Sequence, residues 1–585
     1  MKKQRIVNDT TCILFLFIVG SFLFFQLNYR YWYHFMEQYM MFQTTGAYFQ
    51  GRLAEVGGLN EYLTEYLTLA FSKPYGASLV IALLLGGTSV LFHAFLRACG
   101  VRASAVVATI PAFLYWIYPL ESIAPLVAVV VSLLLVWVYT LIENAKLRYA
   151  IGFLFVTGIY FAAAPAHLLT GVLMAVFEVC AKQGKGRWVA ATVGVAWSLL
   201  LPLIAMRTIY IVPMREAFLS KHLYHPEYPI PASLWYVWFS FPVLVLFLYI
   251  IRGRTFLRGR FLKVLIPYAC LLVGIVGGIL YGKNPMEQAY RYDYYARQGE
   301  WKRIVDHARK HPVQDKDALI YLNLALSHTG RLSSDLVRFS QFGEEGLIPH
   351  DPKSRMGLIE ASEVAWQVGQ VNAAQRFAFV GVLSSQRCVQ PRLMKRLVET
   401  YLVTGEHRAA AKYIRILEST PQYREWATAQ KALLDTTVCA GTDWVATKRA
   451  LLPVTDTPLD LTITFPNALA YLIDDHADNR AAFDYGMAYL LLYKDLMPFM
   501  HYMEMKRDRE EPFPVLYQEA ICLFYAAVQK DPEAFRSYAV SKEVQDRFIQ
   551  FMKVVSSAPP AVLKERFGDT YYYYAQFVPT PKQRQ

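Results

Sequence analysis

Residues 11–25 read TCILFLFIVGSFLFF, an apolar run without a single charged side chain. Lys2, Lys3 and Arg5 precede this run, and the polar and aromatic stretch QLNYRYWY follows it at 26–33. A cleavable signal peptide begins in the same way, but its cleavage site requires small residues, which are missing here. The run therefore predicts a retained membrane span that anchors the N-terminus.

Eight more apolar runs follow in the first half of the chain. A helix rises about 1.5 Å per residue, so most of these runs can cross a hydrocarbon core of about 30 Å. The shortest runs could instead pair as helical hairpins that dip into the membrane. The sequence therefore predicts an all-α polytopic bundle of about nine spans. The eight runs cover roughly residues 77–97, 103–118, 122–142, 150–164, 166–181, 189–209, 233–251 and 263–281.

Composition divides the chain into two regions. The 585 residues are 55% hydrophobic and only 18% charged, against roughly 25% charged residues in an average soluble domain. The apolar excess ends near residue 281, and an ordinary globular composition follows. We therefore predict a transmembrane domain at 1–282, with a long outer loop at 28–75, and a soluble helical domain at 283–585.

Basic residues are distributed unevenly between the two sets of connections. Fifteen lie on the side of the N-terminus and five on the opposite side, which predicts a cytoplasmic N-terminus. An odd number of spans then places the second domain outside the cytoplasm, in the periplasm if the membrane is a bacterial inner membrane. The same asymmetry accounts for much of the net charge of +13, so we exclude a nucleic-acid partner.

Signatures of several site classes are missing from the sequence. It contains no GxxxxGK[ST] phosphate loop, no HExxH zinc motif and no GxSxG nucleophile elbow. The seven cysteines are scattered singly, without a CxxC pair. Neither ATP-driven transport within this chain, nor a zinc site, nor a disulfide framework is indicated.

The outer loop at 28–75 opens with a dense aromatic stretch, Tyr29 to Phe35, of the kind found at the level of lipid headgroups. After Gly57 and Gly58, apolar residues recur at helical spacing and predict an amphipathic helix over 59–71. Such a helix either lies flat on the membrane or caps the bundle. Its apolar positions are Leu59, Tyr62, Leu63, Tyr66, Leu67 and Ala70, and its polar positions are Asn60, Glu61, Thr64, Glu65 and Thr68.

Two carboxylates, Glu37 and Glu121, are the candidate catalytic residues. Both lie near span ends on the predicted outer side, where a carboxylate is costly unless it is paired, hydrated or metal-bound. Together they could hold a divalent cation through oxygen ligands, or one could act as a general base. His34 and Gln38 are supporting candidates beside Glu37. The structural alternatives are a hydrated interfacial role for Glu37 and a helix cap for Glu121.

Basic residues supply candidates for binding a lipid phosphate. Arg207, near the outer end of a span, and Arg215, in the following loop, carry the planar fork that a phosphate accepts. Their alternative role is snorkelling to the headgroups. His167, in a tight outer turn, is a further supporting candidate or a structural hydrogen-bond donor. Glu178, at the opposite end of the bundle, is predicted to pair with a neighbouring lysine.

Four similar turns recur in the second domain, with glycines at 299, 330, 369 and 405. Their separations bracket the tetratricopeptide period of about 34 residues. In such repeats the glycine ends the first helix of each pair, and Pro312 and Pro421 stand where second helices should stop. The pattern predicts a tetratricopeptide-like α-solenoid, a fold that usually presents a concave surface for a protein or peptide partner.

The chain resembles an uncharacterised family of bacterial polytopic membrane proteins in the stretches His34–Gln38, Gly57–Leu59 and Tyr294–Trp301. It also resembles, more loosely, membrane-embedded glycosyltransferases that use lipid-linked sugar donors. Those enzymes have a cytoplasmic N-terminus and a long first outer loop with an early acidic residue. The resemblance implies that Glu37 matches this acid and Glu121 a second one. Aspartate is commoner at both positions of that family, and no DxD-like pair occurs in residues 1–282.

Two classes of function stay open. The first is an enzyme of envelope glycan or glycolipid assembly that acts on a polyprenyl-phosphate-linked substrate. Glu37 would be its base or metal ligand, Glu121 would support it, and Arg207 would hold the lipid phosphate. The second class is a non-catalytic membrane anchor whose solenoid recruits envelope proteins, and a transporter is a third alternative. A water-accessible pocket that contains both carboxylates favours the first class.

The charge asymmetry predicts where the C-terminus lies. A reporter enzyme that works only outside the cytoplasm should be active when it is fused after Gln585. A reporter that works only in the cytoplasm should be inactive at the same position, and activity there would reverse the predicted orientation.

Overall fold

The computed structural model describes residues 2–101, 104–117, 122–183, 186–223, 233–251, 260–349, 352–385, 389–454, 465–507, 511–527 and 537–579. Within these residues the fold is all-α, as predicted, and contains no β-strand. The chain divides into two compact units. The N-terminal unit comprises Met1–Glu287 with Ser419–Gln422, and the C-terminal unit comprises Gln288–Glu418 with Tyr423–Gln585.

Each of the nine predicted apolar runs forms a helix in the N-terminal unit. The helices of this unit are α1 Lys2–Asn28, α2 Arg30–Met36, α3 Gly46–Leu53, α4 Gly58–Thr68, α5 Gly76–Ala98, α6 Ala105–Ile117, α7 Ala124–Leu141, α8 Ala145–Ala163, α9 Ala166–Ala181, α10 Gly186–Thr208, α11 Met214–Leu223, α12 Ser233–Ile250 and α13 Arg260–Tyr281.

The prediction of nine membrane spans was wrong. Among the described residues, five helices are long and apolar enough to cross a membrane: Asp9–Asn28 within α1, then α5, α7, α8 and α10. An apolar composition does not fix helix length. The helices α6 and α9 have 13 and 16 residues, so they reach about 20 and 24 Å, less than a core of about 30 Å. The helices α12 and α13 have 18 and 22 residues, but only the stretches Leu234–Ile250 and Leu265–Tyr281 lie fully within the described residues, so these two helices are not counted among the five. Five such helices are compatible with a membrane protein.

The first helix lies in the core of the N-terminal unit. It packs against α5, α6 and α13, and small residues allow the close approach. A Cβ atom on Gly86 of α5 would lie 2.4 Å from Ile18, and one on Gly20 of α1 would lie 2.6 Å from Ile275. Side chains larger than glycine at either position would therefore push these helices apart.

A buried ion pair joins α8 to α9 at one end of the bundle. Arg148 donates from Nε to Oε1 of Glu178 at 2.7 Å and from Nη2 to Oε2 at 3.3 Å. Tyr139 of α7 donates to the same carboxylate at 2.9 Å. Glu178 therefore pairs with an arginine, and the predicted lysine partner was wrong. The guanidinium also donates to two backbone carbonyls at the end of α7, which a lysine cannot do in this geometry.

The predicted amphipathic helix is α4, and its polar face is the buried one. Asn60 and Thr64 are buried, whereas Leu63 is 40% and Tyr66 56% exposed. The Asn60 side chain donates to the carbonyl of Ala124, at the start of α7, at 2.9 Å. The polar face of α4 therefore binds a backbone group of the bundle, whereas Leu63 and Tyr66 point outward, as suits an apolar medium.

A second buried ion pair fixes α3 to α4. Arg52 donates to both carboxylate oxygens of Glu65, at 3.1 and 2.5 Å. Tyr48, one turn before Arg52, donates to the same carboxylate at 2.5 Å and accepts from Arg52 at 2.6 Å. Each charged group of this cluster therefore has its counter-charge within the outer loop.

The C-terminal unit is a succession of shorter helices. They are α14 Glu287–Arg297, α15 Trp301–Lys310, α16 Lys316–His328, α17 Leu332–Asp335, α18 Arg355–Val368, α19 Val371–Ser384, α20 Pro391–Thr404, α21 His407–Glu418, α22 Arg424–Lys431, α23 Thr436–Ala440, α24 Asp443–Ala450, α25 Phe465–Asp475, α26 Arg480–Tyr493, α27 Leu496–Met505, α28 Val515–Ala527, α29 Lys542–Val554, α30 Pro560–Phe567 and α31 Tyr571–Phe577.

The four predicted glycine turns of this unit are present. Gly299, Gly330, Gly369 and Gly405 each follow the first helix of a pair and adopt φ between +67° and +94°, a region that favours glycine. Neighbouring helices pack in sequence from α18 to α22. However, α26 packs back against α16, α17 and α18, so the unit departs from a simple linear array. The tetratricopeptide-like solenoid stays a prediction.

The pair between Arg52 and Glu65 predicts non-additive stability. Arg52→Met should lose about 3–5 kcal/mol, because it removes the cation that pairs with the buried Glu65 carboxylate. Glu65→Leu should lose less, because Arg52 keeps Glu55 at 3.7 Å. The double variant removes both charges and should melt above either single variant in a thermal-unfolding assay on the purified protein. Additive losses in this double-mutant cycle would show that the pair is solvated and contributes little.

Candidate functional site

The three predicted residues at the start of the outer loop lie in one buried turn. Glu37 is only 3% exposed and begins a short 3-10 helix directly after α2. His34 and Gln38 are also buried, and the Gln38 side chain donates to the carbonyl of His34 at 3.3 Å. The structure therefore brings these residues together, but it places Glu37 under a cover of neighbouring side chains and not on an open surface.

A different acid, Glu287, stabilises the start of α2 in this region. Glu287 accepts hydrogen bonds from the backbone N–H groups of Tyr31 and Trp32, at 2.6 and 3.3 Å. A carboxylate at this position satisfies free N–H groups at the start of α2 and complements the helix dipole. Because Glu287 is about 250 residues away in sequence, the spacing of residues near Glu37 gave no sign of it.

Of the remaining predicted residues, one lies outside the described residues, one is buried and two are exposed. Glu121 lies outside the described residues, so its pairing with Glu37 stays a prediction. His167 is buried at the start of α9, with its ring 4.9 Å from that of Tyr160. Arg207 is exposed in the last turn of α10, and Arg215 is exposed in the first turn of α11.

The turns that carry Glu37 and His167 both lie next to the segment that contains α4. A Cβ atom on Gly57, before α4, would lie 2.8 Å from the backbone of Ala164, next to the start of α9. The 3-10 turn Leu69–Ser72 that follows α4 packs against Glu37–Tyr39. Across the described part of the chain, no group of three or more His, Cys, Asp or Glu side chains is arranged to hold a metal ion.

A cleft lined by aromatic and polar side chains lies in the C-terminal unit, between α18, α20, α22 and α24. Its volume is about 690 Å³, within the usual range of about 300–1,000 Å³ for ligand pockets. We call it the tryptophan cleft. Its lining contains no aliphatic side chain and consists of Trp366, Glu399, Trp426, Gln430, Asp443, Trp444, Thr447 and Lys448.

Cations lie against two of the three indoles, Trp366 and Trp426, and the Lys395 ammonium lies 4.6 Å from the ring centre of Trp426. The Arg396 guanidinium lies 4.4 Å from the ring centre of Trp366, and the Lys448 ammonium lies 5.1 Å from the same ring. Lys448 also donates to the Trp366 carbonyl at 2.6 Å, which joins α24 to α18. The rings of Trp366 and Trp444 are 6.3 Å apart and tilted by 54°. The indoles are therefore pre-positioned and need little reorganisation to receive a ligand.

A chain of buried ion pairs supports the floor of the tryptophan cleft. Arg396 donates to Glu363 at 2.6 Å and to Glu399 at 2.7 Å. Arg392 bridges Glu363, at 3.2 Å, and the fully buried Asp293. The acids and arginines thus alternate from the interior to the cleft, and Glu399 is the member that reaches its surface.

The charges of this network are fixed by their surroundings. Burial alone would raise the pKa of Glu363, but Arg396 and Arg392 together lower it below its usual value. Burial, reinforced by Arg396, lowers the pKa of Lys448 to about 8. Glu360, one helical turn from Glu363, is fully buried, and burial raises its pKa well above the usual range. Glu363 is therefore a carboxylate at neutral pH, whereas Glu360 is a neutral acid.

Sequence reasoning missed the tryptophan cleft. Its three tryptophans lie at positions 366, 426 and 444 and follow no period, so nothing in the sequence shows that they converge. The available signal was local: Trp426 and Trp444 each stand next to an acidic residue in a polar stretch. A large aromatic side chain in such a stretch is a candidate for ligand contact.

Comparisons with known proteins identify the chain at the level of family. No curated protein matches it, and no solved structure matches it. A family model does match, over residues 6–578, which is almost the whole chain. The protein therefore belongs to the family of unknown function DUF6057.

Proposed function

We propose that this protein is an integral membrane protein of the cell envelope that binds a glycan through the tryptophan cleft of its C-terminal unit. The observation that carries the proposal is the lining of the cleft, which combines three indoles with carboxylate, amide and hydroxyl groups. The predicted extracytoplasmic location of this unit would give the cleft access to envelope glycans.

A sugar ring matches this lining in two ways. Its faces present C–H groups, which pack on indole planes, and its edges present hydroxyls, which need hydrogen-bonding partners. Glu399, Gln430, Asp443 and Thr447 supply those partners around the indoles. A site for an apolar peptide anchor would instead be lined mainly by aliphatic and aromatic side chains, and aliphatic side chains are absent from this lining.

Electrostatics further favour a neutral or weakly charged ligand. The acids Glu399 and Asp443 face the cations Lys448 and Arg396 across or beneath the cleft. Because these charges are balanced, neither an anionic nor a cationic ligand gains a large net attraction. Hydrogen bonding and stacking would then decide which ligand binds, as they do for an oligosaccharide.

The transferase hypothesis is the catalytic form of this proposal. It assigns base or metal-ligand roles to Glu37 and Glu121, lipid-phosphate binding to Arg207 and Arg215, and support to His34, Gln38 and His167. The burial of Glu37 weighs against immediate access by a polyprenyl-phosphate-linked substrate. Binding of a glycan, without its transfer, is therefore the function that the geometry supports better.

One observation also supports the scaffold hypothesis. The helices α18 to α22 pack in sequence, and glycine turns separate α18 from α19 and α20 from α21. Helical arrays of this kind commonly bind peptides. The tryptophan cleft opens among these same helices, so a peptide library is the appropriate competing probe in the experiment below.

Trp444 and Asp443 are the residues to change in a test of glycan binding. The full chain should be reconstituted in lipid nanodiscs and applied to an oligosaccharide array, since maltoside detergents carry the chemistry under test. Trp444→Ala should weaken the affinity for the best-bound glycan about tenfold, by loss of a stacking surface worth about 1.4 kcal/mol. Asp443→Asn should weaken it less, because the amide keeps part of the hydrogen bonding.

Tyr471→Ala provides the control, since Tyr471 is a 40% exposed aromatic residue of the same unit outside the cleft. Its glycan affinity should equal that of the unchanged protein, and all variants should melt at similar temperatures. If no glycan binds, or if Trp444→Ala binds as well as Tyr471→Ala, the proposal fails. Binding of library peptides that depends on Trp444 would support the scaffold hypothesis instead.

A further inference from the structure

The N-terminal unit contains a basic cavity that the glycan proposal does not use. It has a volume of about 760 Å³ and opens between the ends of α5, α9 and α12 and the start of α10. Its lining includes Cys99 and Cys180, the cations Lys182 and Arg187, and the aromatic side chains of Trp188 and Tyr249. Among the described residues, no acidic side chain belongs to this lining.

The sequence around the cavity is strongly basic. The three segments 97–104, 182–187 and 252–263 together contain ten lysines and arginines and no aspartate or glutamate. The first two of these segments reach the cavity, and residues 98–100, 182, 183 and 187 line it. The nearest buried acid of α9, Glu178, is already paired with Arg148. Among the described residues that line the cavity, no carboxylate offsets the charges of Lys182 and Arg187.

Arg187 is held in a way that leaves part of its guanidinium available. Its Nη1 atom donates to the Lys182 carbonyl at 3.1 Å, which ties the start of α10 to the end of α9. Its Nε atom is buried and has no hydrogen-bond partner in the described residues. A buried donor without an acceptor is costly. An anion in the cavity would offset that cost by pairing with the charge of the same guanidinium.

The position of the cavity favours a membrane lipid over a free anion. Trp188 is 55% exposed at the cavity rim, and exposed tryptophans at helix ends mark the level of lipid headgroups. Val189 and Val193, on the next turns of α10, are exposed and apolar. A ligand at this place would thus meet a cationic pocket at one end and an acyl-compatible helix surface beyond it.

We infer that this cavity binds the phosphate of an anionic phospholipid headgroup. Lys182 contributes an ammonium and Arg187 a guanidinium, while Trp188 contacts the glycerol region. Basic pockets between membrane helices recognise acidic headgroups by this chemistry. The site lies in the N-terminal unit, and it is independent of the tryptophan cleft in both position and ligand.

Lipid binding can be measured on the full chain after delipidation in a non-ionic detergent. Native mass spectrometry would count bound phosphatidylglycerol and, in a parallel sample, bound phosphatidylcholine. The unchanged protein should bind phosphatidylglycerol at least tenfold more tightly. Lys182→Gln combined with Arg187→Gln should lower that affinity about tenfold, because two charge-assisted contacts are lost. Lys182→Gln alone should give a smaller loss and serves if the double variant does not fold.

Arg97→Gln is the matched control, because Arg97 is exposed in the last turn of α5 at the same end of the unit but does not line the cavity. It should bind phosphatidylglycerol like the unchanged protein. Equal losses in Arg97→Gln and in the cavity variants would reduce the effect to general surface charge and overturn the site. Inorganic phosphate should not raise the melting temperature; a rise that Lys182→Gln abolishes would assign the cavity to a soluble anion instead.

Discussion

A charged side chain inside an apolar bundle has to meet its counter-charge, and the N-terminal unit is organised around two such pairs. Arg148 and Glu178 join α8 to α9, while Arg52 and Glu65 join α3 to α4. Both arginines use the planar fork on both carboxylate oxygens, and in both pairs a tyrosine donates to the same acid. Breaking either pair would leave a charge where solvation is poor, so these contacts determine which helices lie side by side.

This pairing requirement explains the orientation of α4. Its sequence shows one apolar and one polar face, and apolar periodicity ordinarily predicts that the apolar face is buried. Here Glu65 has to reach Arg52 and Asn60 has to reach the carbonyl of Ala124, so the polar face turns inward. Leu63 and Tyr66 are left on the outside, where lipid can cover them. The sequence predicted the helix, whereas only the positions of its partners reveal the direction it faces.

In the rest of the chain, features that depend on neighbouring residues were predictable, whereas features that depend on residues distant in sequence were not. The turn at Gly369 was predictable because a left-handed helix end is a local property of glycine. The lengths of α6 and α9, the Arg148 partner of Glu178 and the Glu287 cap of α2 depend on residues distant in sequence, and each differed from or escaped the prediction. The tryptophan cleft also depends on residues distant in sequence, since Trp366 of α18 and Trp444 of α24 come together only in the folded unit.

Charge balance also separates structural groups from candidate ligand sites in this protein. Arg148 and Arg52 have buried carboxylates as partners, and Arg392 and Arg396 alternate with Asp293 and Glu363, so their charges are accounted for within the fold. Lys182 and Arg187 line an open cavity, and the described residues of its lining include no acidic side chain. A cation next to open space gains more from an incoming anion than a cation that already has its carboxylate, because the latter first has to lose a partner. The basic cavity is therefore the place where binding an anion strengthens the fold, and the ion pairs elsewhere are the places where it would weaken it.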